Sequence, residues 1–241
     1  MLSHRHRCIF IHIRKSAGTS IKHLFADASK DFDDGVLDPH WPPTQPPVSD
    51  YYRFTVVRNP WDRFVSGWKY LTSTRRLSLH DVLRNLPQQR PLYNVLAPQA
   101  PLNVRWSYAR IGSRRRFQHT RYRLLAPIPG LNPRRPKADG HDYRHLTLPL
   151  CDQLLDAQGQ WVVHKVVPLE DLANGLSEVS ARTGIDISHI PHANRKRKGD
   201  DYRQYFDEEA QQLFARHFAD DIERLGYRFD LGPGVPPVTT P

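Results

Sequence analysis

Cysteine is scarce in this 241-residue chain, and long hydrophobic runs are absent. The two cysteines, Cys8 and Cys151, cannot form a framework of disulfides, and neither belongs to a CxxC pair of the kind that binds zinc. The apolar stretch near the start, residues 8–13, is interrupted by His12 and is far shorter than the roughly 20 residues of a membrane span. These absences predict a soluble protein without a membrane span, in a reducing compartment, with the cytoplasm as the expected location.

Two further patterns are missing. No set of His, Cys, Asp and Glu has the spacing of a metal site, so no metal cofactor is expected. The GxxxxGK[ST] signature of nucleoside triphosphatases is also absent, which disfavours an ATP-dependent, kinase-like phosphotransferase. That function is kept as an alternative.

Positive charge, in contrast, is abundant and is concentrated in one segment. Between Asn103 and His145 there are 11 Lys and Arg but only two acids, so this segment carries +9 of the formal net charge of +10. Such a field attracts anions: nucleic acid, phosphorylated cofactors or acidic polysaccharide. The alternative interpretations are a solvated loop and a nucleic-acid-binding surface, the latter supported by interleaved aromatic residues such as Trp106 and Tyr122.

Two strand–turn–helix units follow one another in the first third of the chain. The β-branched and aromatic runs at residues 7–13 and 51–57 predict buried parallel strands. Residues 21–26 and 61–71 have apolar residues at helical spacing, and Pro60 suits a first helical turn. Such units predict an α/β fold with a central, mostly parallel sheet flanked by helices. Ligands of these sheets bind at the carboxyl ends of the strands, where both turns fall.

The rest of the chain predicts a few more elements. They are a short helix at 79–86, a strand at 160–167, a helix at 169–183 stopped by Gly184, and a last helix at 207–225 stopped by Gly226. The predicted organisation is one domain over residues 1–230. Within it, residues 72–144 form a basic, proline-rich insertion that shapes the acceptor site, and residues 231–241 form a flexible tail.

The first turn, at residues 14–20, has the composition of a phosphate-binding loop. It combines small residues that let the backbone approach an anion, hydroxyl donors, a mobile positive charge and a following helix N-terminus. The predicted cofactor-binding residues of this turn are Lys15, Ser16, Ala17, Gly18, Thr19 and Ser20.

The second unit resembles a known family. The segment RNPWDR at residues 58–63, followed by Ser66, is similar to the 3′-phosphate-binding segment of sulfotransferases, which transfer a sulfuryl group from 3′-phosphoadenosine 5′-phosphosulfate (PAPS). The segment IHIRKSAGTS at residues 11–20 resembles the family's 5′-phosphosulfate motif. The likeness is closest to the carbohydrate-type (Golgi-type and bacterial) branch, extends over residues 8–71, and is looser over residues 145–227.

The resemblance implies a three-layer, P-loop-like fold, PAPS as donor, no metal, and a carbohydrate or glycoconjugate acceptor, anionic acceptors included. No nucleic-acid partner is expected from it. It assigns the 3′ phosphate to Arg58 and Ser66, whereas residues 61–63 are expected to be structural. A third basic stretch is similar to the loop with which cytosolic members close over the 3′ phosphate, and a solvated loop is its alternative. The residues of that stretch are Arg197, Lys198 and Gly199.

Sulfuryl transfer resembles phosphoryl transfer, in which the protein contributes positioning and charge neutralisation. Lys15 is the residue expected to stabilise charge on the leaving group. Related carbohydrate sulfotransferases place a histidine just upstream of the second strand, so His40 is the predicted general base and His145 is the reserve. Two other histidines, His12 and His23, are expected to serve packing.

Overall fold

The computed structural model describes residues 1–22, 24, 50–71, 74, 77–86, 144–156, 158–188 and 201–232. Within these residues, four strands form one sheet in the order β1-β2-β3-β4. They are β1 (Leu2–Ser3), β2 (Cys8–Ile11), β3 (Tyr52–Val57) and β4 (Lys165–Pro168). The short β1 pairs antiparallel with β2, whereas β2 with β3 and β3 with β4 are parallel pairs.

Burial of the parallel strands explains their continuous apolar sequence. All four residues of β2 and the last four of β3 are buried. A parallel strand is covered on both faces, so it shows an apolar run rather than an alternation of apolar and polar residues. The register places Phe54 beside Phe10 and Val56 beside Val167.

Seven α-helices occur in the described part of the chain. They are α1 (Gly18–Lys22), α2 (Pro60–Tyr70), α3 (Leu79–Arg84), α4 (Arg144–Thr147), α5 (Cys151–Leu154), α6 (Leu172–Thr183) and α7 (Glu208–Arg224). Their ends follow local signals in the sequence. Pro60 opens α2 as predicted, and Gly184 ends α6 with a left-handed φ of 71° that a glycine adopts without strain.

Helix α6 covers one face of the sheet. Leu172, Leu176 and Val179 recur on one side of this helix and belong to the same buried cluster as the sheet residues. A Cβ at Gly175 would lie 2.5 Å from Cγ1 of Val167, so glycine allows the helix to approach the strand closely. With strands in parallel and helices against them, the predicted α/β class with a mostly parallel sheet flanked by helices is confirmed.

The strand predicted at residues 160–167 is shorter and shifted, since β4 begins at Lys165. Trp161 makes only an isolated bridge with Leu155. The reason is local: the Asp156 side chain accepts the backbone N–H groups of Gln158 and Gln160, each at 2.9 Å, and so folds a turn in front of the strand.

The described residues fall into two compact units. The first contains those of Met1–Arg63, Pro149–Gln204 and Phe218–Pro241, and therefore the whole sheet. The second contains those of Phe64–Leu148 and Tyr205–His217, with Phe64 and Phe206 packed edge-on against Phe214. The single domain predicted for residues 1–230 stays a prediction.

Candidate functional site

The turns that follow β2 and β3 meet at one edge of the sheet. The two strands are neighbours, and the Thr55 hydroxyl donates to the carbonyl oxygen of Ile11 at 2.8 Å. Beyond their carboxyl ends, Nη1 of Arg58 donates to the carbonyl oxygen of Lys15 at 3.4 Å. The predicted anion-binding turn and the predicted 3′-phosphate residue are therefore in direct contact.

The backbone of the first turn is strained at two positions. Lys15 has a φ of 67° and Ala17 has a φ of 55°, although neither residue is glycine. Left-handed conformations of this kind cost an ordinary residue about 1–3 kcal/mol and concentrate at ligand-binding sites. Turns that use such conformations can direct successive backbone N–H groups into a concavity that binds anions.

Ser16, between these two residues, carries a buried hydroxyl. The residue is 0% exposed, and its backbone N–H donates to the carbonyl of Ile13 at 3.3 Å. Its Oγ has no hydrogen-bond partner within the described part of the chain. A buried hydroxyl without a partner costs about 1–3 kcal/mol, and an oxygen of a ligand held in this turn would remove that cost.

Gly18 is constrained by a neighbouring ring. A Cβ at this position would overlap the imidazole of His12, the residue that follows β2. His12 also stacks on Phe10, with the ring centroids 6.0 Å apart. The missing side chain of Gly18 therefore makes room for His12. The sequence also assigns Gly18 to cofactor binding, and that assignment stays a prediction. The expected packing role of His12 agrees with these contacts.

Lys15 lies in an environment that disfavours its positive charge. Burial and, to a smaller extent, the nearby guanidinium of Arg58 together lower the pKa of its ammonium group to about 8. The fold thus brings two cationic side chains together at the edge where an anion is expected. A bound phosphate or sulfate would offset both the desolvation and the repulsion between the two cations.

Arg58 forms an ion pair with Asp62, four residues later in the sequence. Its Nη2 donates to Oδ1 of Asp62 at 2.8 Å, and the two side chains are only 19% and 7% exposed. Its Nε is buried and has no hydrogen-bond partner among the described residues. One edge of the guanidinium is therefore fixed by Asp62, while donor capacity remains for an additional acceptor.

Asn59 organises the second turn. Its Oδ1 accepts the backbone N–H groups of Trp61 and Asp62 at 3.1 and 3.2 Å, which caps the N-terminus of α2. Its Nδ2 donates to the hydroxyl of Tyr202 at 3.3 Å. Because Asn59 is 1% exposed, these bonds hold the turn, and the adjacent Arg58, in one conformation.

Glu170 is a site residue that the sequence reasoning did not select. Its Oε1 accepts the backbone N–H of Asn59 at 2.8 Å, and its Oε2 accepts the hydroxyl of Tyr227 at 2.9 Å. Burial raises the pKa of this carboxyl, and the two hydrogen bonds oppose that change. The sequence signal was the acidic pair at residues 170–171, at the start of the helix predicted after the strand at 160–167.

Residues 61–63 serve the structural roles expected of them. Trp61 is 5% exposed and lies parallel to the ring of Tyr202, with centroids 6.5 Å apart. Arg63 is 1% exposed, and the positive charge of this residue lowers the otherwise raised pKa of the buried Asp221. Asp221 also accepts the backbone N–H groups of residues 150 and 151 at 2.7 and 2.8 Å.

The other predicted cofactor-binding residues near the two turns, Thr19, Ser20 and Ser66, lie in helices. Thr19 and Ser20 belong to α1, and the N–H of Ser20 donates to the carbonyl of Ala17 at 2.9 Å. Ser66 is half-buried in the second turn of α2. The helix positions agree with the prediction, and the contacts of these side chains with a cofactor stay predictions.

Several predicted site residues lie outside the described residues. His40 is one of them, and so are Arg197, Lys198 and Gly199. The basic segment at 103–145 also lies outside, except for its last two residues, which open α4. His145, the reserve base, is one of those two. Their roles therefore stay predictions.

Two kinds of site are absent from the described residues. No group of three or more His, Cys, Asp and Glu is arranged to hold a metal ion. Among the same residues, no helix has the length and apolar composition needed to cross a bilayer.

The fold is that of an α/β protein with two basic turns in contact at the carboxyl edge of a parallel sheet. A family model described as the sulfotransferase family matches residues 1–228. The chain therefore belongs to the sulfotransferase family, and its family activity is the transfer of a sulfuryl group. Neither a search of curated proteins nor a search of solved structures found a match.

Proposed function

We propose that this protein transfers a sulfuryl group from PAPS to a hydroxyl of a carbohydrate or glycoconjugate. Family membership supports sulfuryl transfer in general. The observation that carries the donor assignment is the contact, at one sheet edge, between the turn containing Ser16 and the arginine that follows β3. A nucleotide with phosphate groups on both sides of its ribose requires two adjacent anion sites of this kind.

The side chains at this edge fit such a nucleotide. The buried hydroxyl of Ser16 and the partly desolvated ammonium of Lys15 suit the 5′ phosphosulfate. The buried Nε of Arg58 supports binding of the 3′ phosphate, because a guanidinium can donate to two oxygens at once. Ser66 is proposed to add a hydroxyl donor from α2. The stretch Arg197, Lys198 and Gly199 is proposed as a third contributor to binding of the 3′ phosphate.

When bound, PAPS supplies a sulfuryl group attached to a phosphate leaving group. Lys15 is proposed as the catalytic cation, because its charge is best placed to offset the negative charge that develops on that phosphate. Lys15 and Ala17 already have left-handed backbone conformations before any nucleotide is bound, so the turn is proposed to be preorganised for the donor. Most of the catalytic effect is then expected from positioning and electrostatics rather than from covalent chemistry by the protein.

The acceptor hydroxyl must lose a proton, and we assign this step to His40. Histidine is suited to accept a proton near neutral pH. His40→Ala should lower the rate by about 10²–10⁴-fold and leave nucleotide binding nearly unchanged. A fully active variant would transfer the role to His145.

The carbohydrate class of the acceptor is inferred from the family resemblance, and its negative charge from the basic middle segment. The segment 103–145, with its 11 basic and two acidic residues, suits an anionic carbohydrate. Neutralising Arg114, Arg115 and Arg116 together should raise the KM for such an acceptor and flatten its salt dependence, because screening tightens from about 10 Å at 0.1 M salt to about 3 Å at 1 M. An unchanged KM at low salt would favour the alternative, that this segment is a solvated loop that does not bind the acceptor.

The decisive experiment is calorimetric titration of the full chain with 3′-phosphoadenosine 5′-phosphate, the spent donor, alongside ATP. Tight binding of the bisphosphate and weak binding of ATP are expected. Tighter binding of ATP would favour a phosphotransferase instead, and tight binding of nucleic acid with neither nucleotide would favour the nucleic-acid alternative. A single domain over residues 1–230 and a cytoplasmic location are further parts of the proposal.

A further inference from the structure

A second polar cleft lies at the opposite edge of the sheet, at the amino ends of the parallel strands. Its volume is about 740 Å³, which is within the range of small-molecule sites. Its walls come from the residues before β2, β3 and β4 and from the last turns of α6. Since the six residues of β3 span about 20 Å, this cleft is separate from the turns that follow the strands.

The acidic side chains of this cleft are already paired. Asp50 forms an ion pair with Arg7 at 3.7 Å, and Glu178 forms one with Lys165 at 2.6 Å. The cleft is also lined by Arg5 and Arg182, for which no ion pair occurs among the described residues. The lining therefore has more positive than negative side chains, three arginines against two carboxylates.

The carbonyl groups at the end of α6 are also occupied. The carbonyl of Thr183 accepts a hydrogen bond from Nδ1 of His6 at 3.2 Å. The carbonyls of Ser180 and Val179 accept from the N–H of Gly184 and the hydroxyl of Thr183, each at 2.7 Å. With these acceptors satisfied, the negative end of the helix presents less repulsion to an anion.

His164 contributes a directed hydrogen-bond donor. Its Nδ1 accepts the backbone N–H of Arg53 at 2.9 Å, so the neutral ring carries its proton on Nε2. The ring lies parallel to that of Tyr52, with centroids 5.5 Å apart, which limits its rotation. His164 is therefore an uncharged hydrogen-bond donor in the cleft that Arg5 and Arg182 also line.

Two titrating groups report the sign of the local field. Burial lowers the pKa of His164, and the charges acting on it, Arg53 and Arg182, lower it further. At Tyr52, burial raises the pKa, while Lys165 and Arg182 oppose the rise and Glu178 adds to it. Positive charge thus predominates at both rings.

We propose that this cleft binds an organic monoester of phosphate or sulfate, with the tetrahedral anion held by Arg5, Arg182 and His164. The cleft is many times larger than the anion itself, so the organic part of the ligand occupies the remaining volume beside the stacked rings. The site is distinct from the proposed PAPS site and does not depend on the proposed function.

The test is a titration of the full chain at constant ionic strength, observed through the imidazole NMR signals of His6 and His164. Phenyl phosphate is the organic probe, and inorganic phosphate is the free anion. Saturable shifts of both signals are expected, with phenyl phosphate binding more tightly. Equal affinity for the two probes would identify the ligand as a free anion, and no saturable shift up to about 10 mM would refute the site.

Variants make the assignment specific. Replacing both guanidinium groups, in the Arg5→Gln/Arg182→Gln variant, should weaken binding at least about tenfold, since each contributes a charge-assisted hydrogen bond. Arg228→Gln removes an exposed arginine that is paired with Asp230 and is the matched control with unchanged binding. Arg58→Ala should leave these shifts unchanged, because it acts at the other edge. Unchanged affinity in the double variant, or in both single variants should the double variant not fold, would overturn the proposal.

Discussion

The two turns at the carboxyl edge of the sheet are built in opposite ways. The turn after β2 is strained and electrostatically unfavourable: Lys15 and Ala17 have positive φ angles, and Ser16 buries a hydroxyl with no partner in the described chain. The turn after β3 is capped by Asn59 and tied to Glu170. Its main charged group, Arg58, is paired with Asp62.

This difference separates two ways of preparing an anion site. The first turn keeps polar groups unsatisfied, so a ligand gains interactions that the empty protein lacks, at the expense of stability. The second turn fixes its arginine through a hydrogen-bonded network, so little conformational entropy is lost when a ligand binds. Substitutions in the first turn should therefore change catalysis or ligand affinity without loss of stability, and substitutions in the second should lower affinity or stability.

Between the two turns, the larger effect is expected from the strained one, and it is an effect on turnover. Lys15→Ala should lower the rate of PAPS hydrolysis, which can be measured without an acceptor, by about 10²–10³-fold, because the ammonium acts mainly on the developing charge. The Kd for the spent nucleotide should change much less. Lys15→Arg keeps the charge and is the matched control, with partial activity expected. Equal losses in rate and affinity would contradict a transition-state role.

The next effect is on affinity and comes from the capped turn. Arg58→Ala should weaken binding of 3′-phosphoadenosine 5′-phosphate by about 2 kcal/mol, or roughly 30-fold, if its guanidinium grips the phosphate. Calorimetry measures this change directly. Arg228→Ala, at an exposed arginine paired with Asp230, should bind normally. Normal binding by the Arg58 variant would remove the 3′-phosphate assignment.

A smaller difference is expected between the effects of substitutions in the two turns on the free energy of unfolding. Asn59→Ala removes the cap of α2 and should lower the free energy of unfolding by about 1–2 kcal/mol in urea denaturation. Ser16→Ala removes an unsatisfied buried hydroxyl, so stability should stay the same or rise, while nucleotide affinity falls. A comparable loss of stability in both variants would mean that the two turns are not built differently.

The smallest effect is a dependence on pH. The folded chain holds the pKa of Lys15 at about 8, against 10.5 for an unperturbed lysine, so between these values the unfolded chain binds more protons. The contribution of Lys15 to the free energy of unfolding therefore rises with pH over that window. The wild type should therefore gain stability relative to Lys15→Met between pH 7.5 and pH 9.5 in urea denaturation, because the charged, desolvated lysine destabilises the folded chain most at the lower pH. A constant difference would disprove the lowered pKa.

The same group couples ligand binding to protons. An anion beside Lys15 raises its pKa, so nucleotide binding at pH 9 should take up as much as about one proton. Calorimetry in buffers of different ionisation enthalpy measures this uptake, which should disappear in Lys15→Met.

Part of this site could be predicted because its signals are local. A continuous apolar run predicts a buried strand, and the small, hydroxyl-bearing and basic residues after it predict an anion-binding turn. Glu170 could not be predicted in the same way. It contacts Asn59 across 111 residues of sequence and Tyr227 across 57. Nothing in the neighbouring residues of a glutamate encodes a partner at such a separation.

The residues alone determined the α/β class, the order of the two turns and the resemblance to sulfotransferases, since these depend on short-range patterns and motif spacing. Only the tertiary structure decided that Arg58 contacts the Lys15 carbonyl and that Gly18 makes room for His12. It also decided that Arg5 and Arg182 share a cleft. These contacts arise from strand register and helix packing, which join distant segments once the apolar residues are buried together.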